Sequence, residues 1–254
     1  MATPINDARA LELLCRGSLE LVGRLADATN ATFFGRLTLA DESLDTAAIG
    51  VHEAPRTAAC VYKPVRGERP LDDFPDGTLA RREYAAFLLS ETIGWRIVPP
   101  TVIRDGPLGE GMVQLWVEAD PEADVVDMVL APDPRLRRIA IFDAIANNAD
   151  RKGSHVLPVV GGHVHAVDHG VCFAEQPKLR TVLWAWRGEL LTEEELAAVE
   201  RAAQALDADL GAALHDLLAR REVAATRRRV DTLLRRRRFP QPDPTRPAVP
   251  WPPF

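Results

Sequence analysis

Cysteine and long apolar segments are both scarce in this sequence of 254 residues. Its three cysteines, Cys15, Cys60 and Cys172, lie far apart and form no CxxC pair. This spacing disfavours a disulfide framework or a zinc knuckle and indicates reduced thiols in a cytoplasmic protein. No apolar run reaches 18 residues, and the start MATPINDARA has neither a basic n-region nor an apolar h-region. The sequence therefore predicts neither a transmembrane segment nor a signal peptide.

Lysine is also rare, because only three of the 31 basic residues are lysines: Lys63, Lys152 and Lys178. Where arginine is the default cation, a lysine draws attention because its compact point charge does what a planar guanidinium cannot do. The net charge of −6 argues against general affinity for nucleic acids. With 46% hydrophobic and 27% charged residues, the composition is that of a soluble globular protein, and we expect a monomer.

The first half of the chain has the pattern of an antiparallel sheet with one inserted helix. Helical spacing of apolar residues predicts an initial helix over 7–16 and a second over 78–94, with Thr78 as N-cap and Gly94 as stop. Residues 41–55 are predicted to form a surface loop. Five strands are predicted from the apolar alternation and the turn residues between them, at 18–25, 31–40, 57–64, 101–106 and 110–118.

The second half is predicted to be mostly helical. A helix over 133–148 precedes a hairpin that turns at Gly161 and Gly162. Thr192 and Glu195 stand in the register of a capping box at the start of the next helix, and two more helices follow to about Arg238.

The order of these elements predicts an α+β fold of two lobes with a ligand cleft between them. We assign residues 1–118 to the antiparallel-sheet lobe and 119–238 to the mainly helical lobe. Residues 239–254 are rich in proline and are predicted to be a flexible tail that folding does not need. The exception would be docking of Trp251 or Phe254 on the body.

The segment GGHVHAVDHG (161–170) holds three of the six histidines around one aspartate. A zinc hydrolase would carry HxHxDH, but Asp168 falls one residue late for that pattern. On a strand His163 and His165 share one face and Asp168 points to the other, and no upstream residues complete a tetrahedral site. We therefore interpret the two histidines as the solvated face of a hairpin.

The order of four charged residues indicates a different chemistry. Lys63 ends a strand, Glu83 lies on the following helix, Asp150 lies in a polar loop and Asp168 closes a later strand. This is the set of groups that phosphoryl transfer from ATP requires. The lysine neutralises phosphates, the glutamate holds the lysine, the loop aspartate accepts the proton of the acceptor hydroxyl, and the last aspartate holds a divalent metal. The alternatives are an ordinary ion pair for Lys63 and Glu83, and loop or turn roles for the aspartates.

These residues lie in motifs that resemble those of the phosphatidylinositol 3- and 4-kinase-like kinases, particularly a small bacterial, actinobacterial-type branch. The motifs are CVYKP, RREYAAFLLSETIGWRIVPPT, GMVQLWV, FDAIANNADRKGSH and HAVDHGVCF, which together span roughly residues 20 to 175. A toxin-associated serine kinase family shares some of these elements. The resemblance implies a two-lobed, protein-kinase-like fold that binds ATP and Mg²⁺ in the cleft.

The resemblance also implies a role for each matching residue. Lys63 would bind phosphates, Glu83 would pair with it, Asp150 would be catalytic and Asp168 would ligate Mg²⁺. Adenine would meet backbone groups of a hinge formed by Gln114, Leu115, Trp116 and Val117. The phosphates would be covered by a turn formed by Asn30, Ala31 and Thr32. His155 stands where the family carries a metal-binding Asn. We expect this imidazole to be a metal ligand that also suits Mn²⁺, with a loop-capping histidine as the alternative.

The implied function is an ATP-dependent kinase that moves the γ-phosphate to a hydroxyl acceptor. The acceptor is left open among protein Ser/Thr, a small molecule and an inositol lipid. The alternatives are a nucleotide-binding pseudokinase that acts as a scaffold and a kinase-fold enzyme that transfers AMP. Two arginine clusters, at 227–229 and 235–238, either bind an anionic partner or form a solvated helix face.

Overall fold

The computed structural model describes residues 7–26, 29–39 and 56–254 of the chain. The loop expected over 41–55 and part of the turn near 26–30 lie outside the described residues. The helices are α1 (Asp7–Arg16), α2 (Leu79–Ile93), α3 (Val125–Leu130), α4 (Arg137–Ala146), α5 (Glu193–Leu206), α6 (Asp209–Leu217) and α7 (Arg220–Arg236). The strands are β1 (Ser18–Arg24), β2 (Phe33–Leu39), β3 (Arg56–Pro64), β4 (Thr101–Gly106), β5 (Gly109–Leu115), β6 (Val156–Pro158) and β7 (Val164–Ala166). The predicted helices and strands are present with small shifts at their ends, while α3 was not predicted.

One compact unit, the sheet unit, consists of the described parts of Met1–Ala80 together with Pro100–Trp116. Its five strands form one antiparallel sheet in the order β1-β2-β3-β5-β4. Leu13 and Leu14 of α1 lie in the hydrophobic core beside buried residues of the strands. The sheet therefore has one face covered by an amphipathic helix, which removes the apolar side chains of that face from water.

The other compact unit, the helical unit, consists of Arg81–Pro99 and Val117–Phe254. The helical unit thus contains most of α2, whereas the sequence-based division places this helix, with the rest of residues 1–118, in the sheet lobe. The reason is a buried ionic contact, since the Arg82 guanidinium donates to Cys172 O at 2.8 Å and to Glu222 at 2.7 Å. A buried arginine needs such partners because an unpaired charge in the interior is very costly.

These two units confirm the predicted α+β fold, with an antiparallel-sheet part and a mainly helical part. The capping box at α5 is also confirmed, since Thr192 Oγ1 accepts from Glu195 N–H at 3.2 Å and Glu195 accepts from Thr192 N–H at 2.8 Å. In the described part of the chain no helix combines the length and the apolar character that crossing a membrane requires.

The proline-rich tail (residues 239–254) forms no helix or strand, and it makes defined contacts with the rest of the helical unit. Ala248 O accepts from Thr181 N–H at 3.0 Å, and Pro253 O accepts from Gly153 N–H at 2.8 Å. Docking of Phe254 on the body, the exception named above, is thus present, while the flexibility of the tail stays a prediction. Proline removes backbone donors but leaves every carbonyl, so the segment docks by accepting hydrogen bonds from the body.

Candidate active site

The residues that follow α4 form a polar loop, the Asp150 loop (residues 147–155). Helix α4 ends at Asn147, which has a left-handed backbone with φ 54, and its side chain donates to Ala174 O and Gln176 O. Asn148 links the loop back to the helix, because its amide donates to Asp143 at 3.0 Å while its Oδ1 accepts from Asp150 N–H at 2.9 Å. The two asparagines therefore fix the backbone that presents Asp150.

A buried ion pair lies directly under this loop. Arg151 donates to both carboxylate oxygens of Asp143, at 2.9 and 3.0 Å, and both side chains are fully buried. The same guanidinium donates to Val167 O at 2.7 Å and contacts His169 Nε2 at 2.7 Å. Arg151 thus ties the loop to the strand-end segment of Asp168, with the bidentate geometry that makes arginine–carboxylate pairs strong.

The segment after β7 holds Asp168 in an unusual backbone conformation. Asp168 has φ 61, a left-handed geometry that a non-glycine residue adopts at a cost unless its surroundings hold it there. The next residue supplies that restraint, since His169 N–H donates to Glu83 Oε2 at 2.8 Å. Because a guanidinium can only donate, the Arg151 contact assigns the acceptor role to His169 Nε2 and the proton to Nδ1, which lies 4.0 Å from Glu83 Oε2.

Four charged or titratable side chains converge above this buried network. Lys152 Nζ lies 3.3 Å from Asp150 Oδ2, and His155 Nε2 lies 3.4 Å from Asp168 Oδ2. Burial raises the pKa of the Asp150 carboxyl; Lys152 and Arg180 oppose this, and the negative charge of Asp168 adds to it. The helical unit therefore brings together Asp150, Asp168 and His155 of the predicted site and adds Lys152 to them.

The donors at this position fit a divalent cation of the Mg²⁺ type. Within residues 7–26, 29–39 and 56–254 no three His, Cys, Asp or Glu side chains are grouped closely enough to hold a metal by themselves. Mg²⁺ does not need such a cage, because it is commonly bound through one or two carboxylates together with substrate phosphates and water. Asp168 is half exposed, and its charge and that of Asp150 repel each other, so a cation would relieve both carboxylates.

The sheet unit carries the residues predicted to meet ATP. Lys63 lies near the end of β3 and pairs in register with Met112 of β5. At the predicted hinge, Gln114 donates its side-chain amide to Thr101 at 2.8 Å, and Leu115 N–H and Trp116 N–H donate to Pro100 O and Ala59 O. These three donors already have partners within the sheet unit, so adenine would have to bind to other backbone groups of the hinge. Val117 begins the second segment of the helical unit.

The predicted phosphate-covering turn is tied to the segment after β3. Ala31 N–H donates to Gly67 O at 3.0 Å, and Asn30 Oδ1 accepts from Arg69 N–H at 2.8 Å. Thr32 Oγ1 donates to Asn30 O at 3.3 Å. The Asn30 and Thr32 side chains thus shape the turn itself.

Sequence reasoning missed two residues that build the site and one that caps α2. Asp143 and His169 belong to the buried network, and Glu68 accepts from the first two N–H groups of α2, at 3.1 and 2.9 Å. Only Asp143 gives a local signal, because it is a lone charge in the otherwise apolar α4 segment IAIFDAIA. The pairing of Lys63 with Glu83 stays a prediction.

The arginines near the end of the chain are largely used by the fold. Arg227 pairs with Asp207 and Asp231, Arg229 donates to Ile145 O, Arg237 pairs with Glu193, and Arg238 donates to Gly188 O. An arginine that already has a carboxylate or carbonyl partner has less to offer an external anion. These contacts favour the structural interpretation of the clusters.

Comparison with known proteins adds to this geometry. No family model matches the chain. It is 30% identical over 129 residues to Phosphatidylinositol 4-kinase gamma 4 of Oryza sativa subsp. japonica, which covers 43% of this chain and 23% of that protein. Among solved structures, the Helicobacter pylori proinflammatory kinase CtkA matches with a TM-score of 0.47 and 9% identity, over 86% of this chain and 92% of that one.

A much longer match comes from Mycobacterium tuberculosis. Its Protein Rv2133c is 43% identical over an alignment of 277 residues, which covers 95% of this chain and 94% of that protein. Identity at this level over nearly the full length of both chains implies common descent and a common fold. The chain belongs to the family of Protein Rv2133c of Mycobacterium tuberculosis.

Proposed function

We propose that this protein is an ATP-dependent phosphotransferase that moves the γ-phosphate of ATP to a hydroxyl acceptor. The observation that carries the proposal is the convergence of Asp150, Asp168 and His155 on one buried ionic scaffold. Such a scaffold keeps charged groups in place before the reaction, and placing charge is most of what phosphoryl transfer asks of a protein. The similarity of part of the chain to a phosphatidylinositol 4-kinase supports the same chemistry.

Asp150 is the proposed general base. The acceptor hydroxyl gives its proton to the Asp150 carboxylate as its oxygen forms a bond to the γ-phosphorus, and the bond from that phosphorus to the β-phosphate oxygen breaks to release ADP. Burial raises the pKa of Asp150, and a base whose pKa lies closer to the working pH accepts a proton more effectively in the transition state.

Asp168 and His155 are the proposed metal-holding residues. A divalent cation held there supplies positive charge against the phosphate oxygens. An oxygen ligand from Asp168 suits Mg²⁺, while the nitrogen of His155 suits Mn²⁺ better. Lys63, from the sheet unit, adds positive charge for the α and β phosphates.

Glu83 has a proposed role beyond the expected pairing with Lys63. Its carboxylate accepts from His169 N–H at 2.8 Å, so it restrains the residue next to the metal-binding Asp168. Glu83 is therefore also a positioning residue for Asp168. The backbone of residues 114–117 is proposed to meet adenine, and the turn at 30–32 to cover the phosphates.

Two labelled forms of ATP test the proposal. Purified protein is incubated with γ-labelled or α-labelled ATP, and we expect transfer of the γ label only. Transfer of the α label would instead establish AMP transfer. If neither label is transferred from ATP, the pseudokinase scaffold is the remaining alternative. Candidate proteins, small metabolites and inositol lipids are added in separate reactions to identify the acceptor.

Two substitutions connect this activity to the site. Lys63→Met is expected to weaken ATP binding or turnover, and Asp168→Ala to abolish the dependence of turnover on the divalent metal. Lys178→Met is the matched control, because it removes one of the other lysines while the Lys178 backbone N–H keeps its bond to Asn147. Wild-type turnover in both site variants would refute the proposed site.

A further inference from the structure

The tail is anchored at its first residue by both backbone and ring contacts. Phe239 is buried; its N–H donates to Glu189 O at 3.0 Å and its carbonyl accepts from Gly188 N–H at 3.2 Å. The Arg137 guanidinium lies 4.7 Å from the centre of the Phe239 ring. These contacts fix where the tail starts after α7 and in which direction it leaves.

The middle of the tail is bound to a segment that itself pairs with the Asp150 loop. Ala248 O accepts two hydrogen bonds, from Thr181 N–H at 3.0 Å and from Trp184 Nε1–H at 2.8 Å. Thr181 forms a parallel bridge with Arg151, and Arg151 N–H donates to Arg180 O at 3.0 Å. One short segment, residues 180–184, thus bonds to the middle of the tail and also to the Asp150 loop.

At its last residues the tail contacts the Asp150 loop directly. Gly153 N–H donates to Pro253 O at 2.8 Å. The Phe254 ring packs on the same glycine, because a Cβ placed on Gly153 would overlap the edge of that ring. Gly153 stands three residues after Asp150 and two before His155 in the sequence, so the tail holds the loop between the proposed base and a proposed metal ligand.

The tail has the right physical character to restrain a loop. Its prolines fix the backbone φ and reduce the freedom that is lost when the segment is ordered. Each carbonyl remains an acceptor, and Ala248 O and Pro253 O use this capacity to accept from Thr181, Trp184 and Gly153. Catalytic groups need this kind of support because a displacement of about 1 Å can cost about 100-fold in rate.

We propose that the tail is a strap that positions the Asp150 loop, with Pro253 and Phe254 as its positioning residues. The consequence for activity rests on the phosphotransfer function proposed above, while the mechanical consequence for the loop does not. The strap acts on the loop through Gly153.

The first test measures the loop without any activity. Amide hydrogen exchange is compared in the wild type, in Phe254→Ala and in a variant lacking residues 252–254. In the variant lacking residues 252–254, loss of the Gly153 hydrogen bond is expected to speed exchange in the Asp150 loop by about fivefold, given the usual net contribution of one such bond. Phe254→Ala keeps that bond but loses the ring contact with Gly153, so it should also speed exchange, by a smaller factor. Val249→Ala is the control, since Val249 is an exposed apolar residue of the same tail.

The second test measures conversion of Mg·ATP to ADP with water as acceptor. Phe254→Ala is expected to lower kcat about tenfold or more with KM for ATP nearly unchanged, because the loop, not the nucleotide, is displaced. Phe254→Tyr, which keeps the ring on Gly153, should restore kcat. Both readouts should stay at wild-type values in Val249→Ala.

The two tests separate this inference from the proposed function. Unchanged exchange in the Asp150 loop of both tail variants would overturn the strap. Faster exchange with kcat and KM both unaltered would overturn its positioning role. If the wild type transfers the γ-phosphate neither to water nor to any of the added acceptors, the phosphotransfer proposal falls, and the exchange result still decides whether the tail restrains the loop.

Discussion

Lys152 should set the pH at which the proposed base becomes active. Its Nζ lies 3.3 Å from Asp150 Oδ2, and its positive charge lowers the pKa that burial has raised. Replacing Lys152 with Met removes that charge, so the ionised carboxylate becomes less favourable and the pKa of Asp150 rises further. The acidic limb of kcat/KM for ATP turnover, which reports the free enzyme, should therefore move to higher pH.

The size of this shift follows from the geometry. At 3.3 Å, Coulomb's law gives about 1.3 kcal/mol at the dielectric constant of water. This value already includes screening by water, and the two side chains are 23% and 35% exposed. Salt reduces the interaction further, so we expect a displacement of about 0.5 to 1 pH unit, since one unit corresponds to about 1.4 kcal/mol.

The assay is turnover of Mg·ATP as a function of pH for the wild type, Lys152→Met and Lys152→Arg. Lys152→Arg keeps the charge and should leave the limb near its wild-type position. In about 1 M salt the Debye length falls to about 3 Å, so the wild-type limb should move toward that of Lys152→Met. A limb that stays in place or moves to lower pH in Lys152→Met would refute the assignment of Asp150 as the base that Lys152 tunes.

Two further substitutions test the aspartate and the histidine. Asp150→Asn should lower turnover about 10²- to 10⁴-fold while ATP still binds. The same substitution should raise the stability of the fold although it lowers activity. A carboxyl whose pKa is raised by folding lowers the free energy of unfolding once it ionises, and asparagine does not ionise. The melting temperature of Asp150→Asn should thus exceed that of the wild type at neutral pH, and the difference should close as the pH falls through the range in which the aspartate becomes protonated. A wild-type rate of turnover in Asp150→Asn would exclude Asp150 as the base. His155→Asn should shift the metal preference of turnover from Mn²⁺ toward Mg²⁺, and a change in stability without a change in metal preference would make His155 a structural residue.

The sequence alone determined the local structure of this protein. Apolar periodicity located the strands of the sheet and the helices, and the Thr192–Glu195 spacing located the start of α5. These features depend on residues within a few positions of one another, so their physical causes are visible in a short window. Asp150 and Asp168 could be paired in advance because they lie only 18 residues apart, on either side of one hairpin.

The tertiary structure decided how these residues are held. Glu83 accepts from His169 N–H across 86 positions, and Arg82 donates to Glu222 across 140 positions. The tail contacts Gly153 through the Pro253 carbonyl, although its proline-rich composition predicts only a flexible segment. Periodicity and capping rules describe neighbours along the chain, whereas a buried charge or an extended tail takes whichever partner the packed fold brings within hydrogen-bond distance. For that reason the proposed catalytic groups could be found in the sequence, but the scaffold that positions them could be found only in the folded chain.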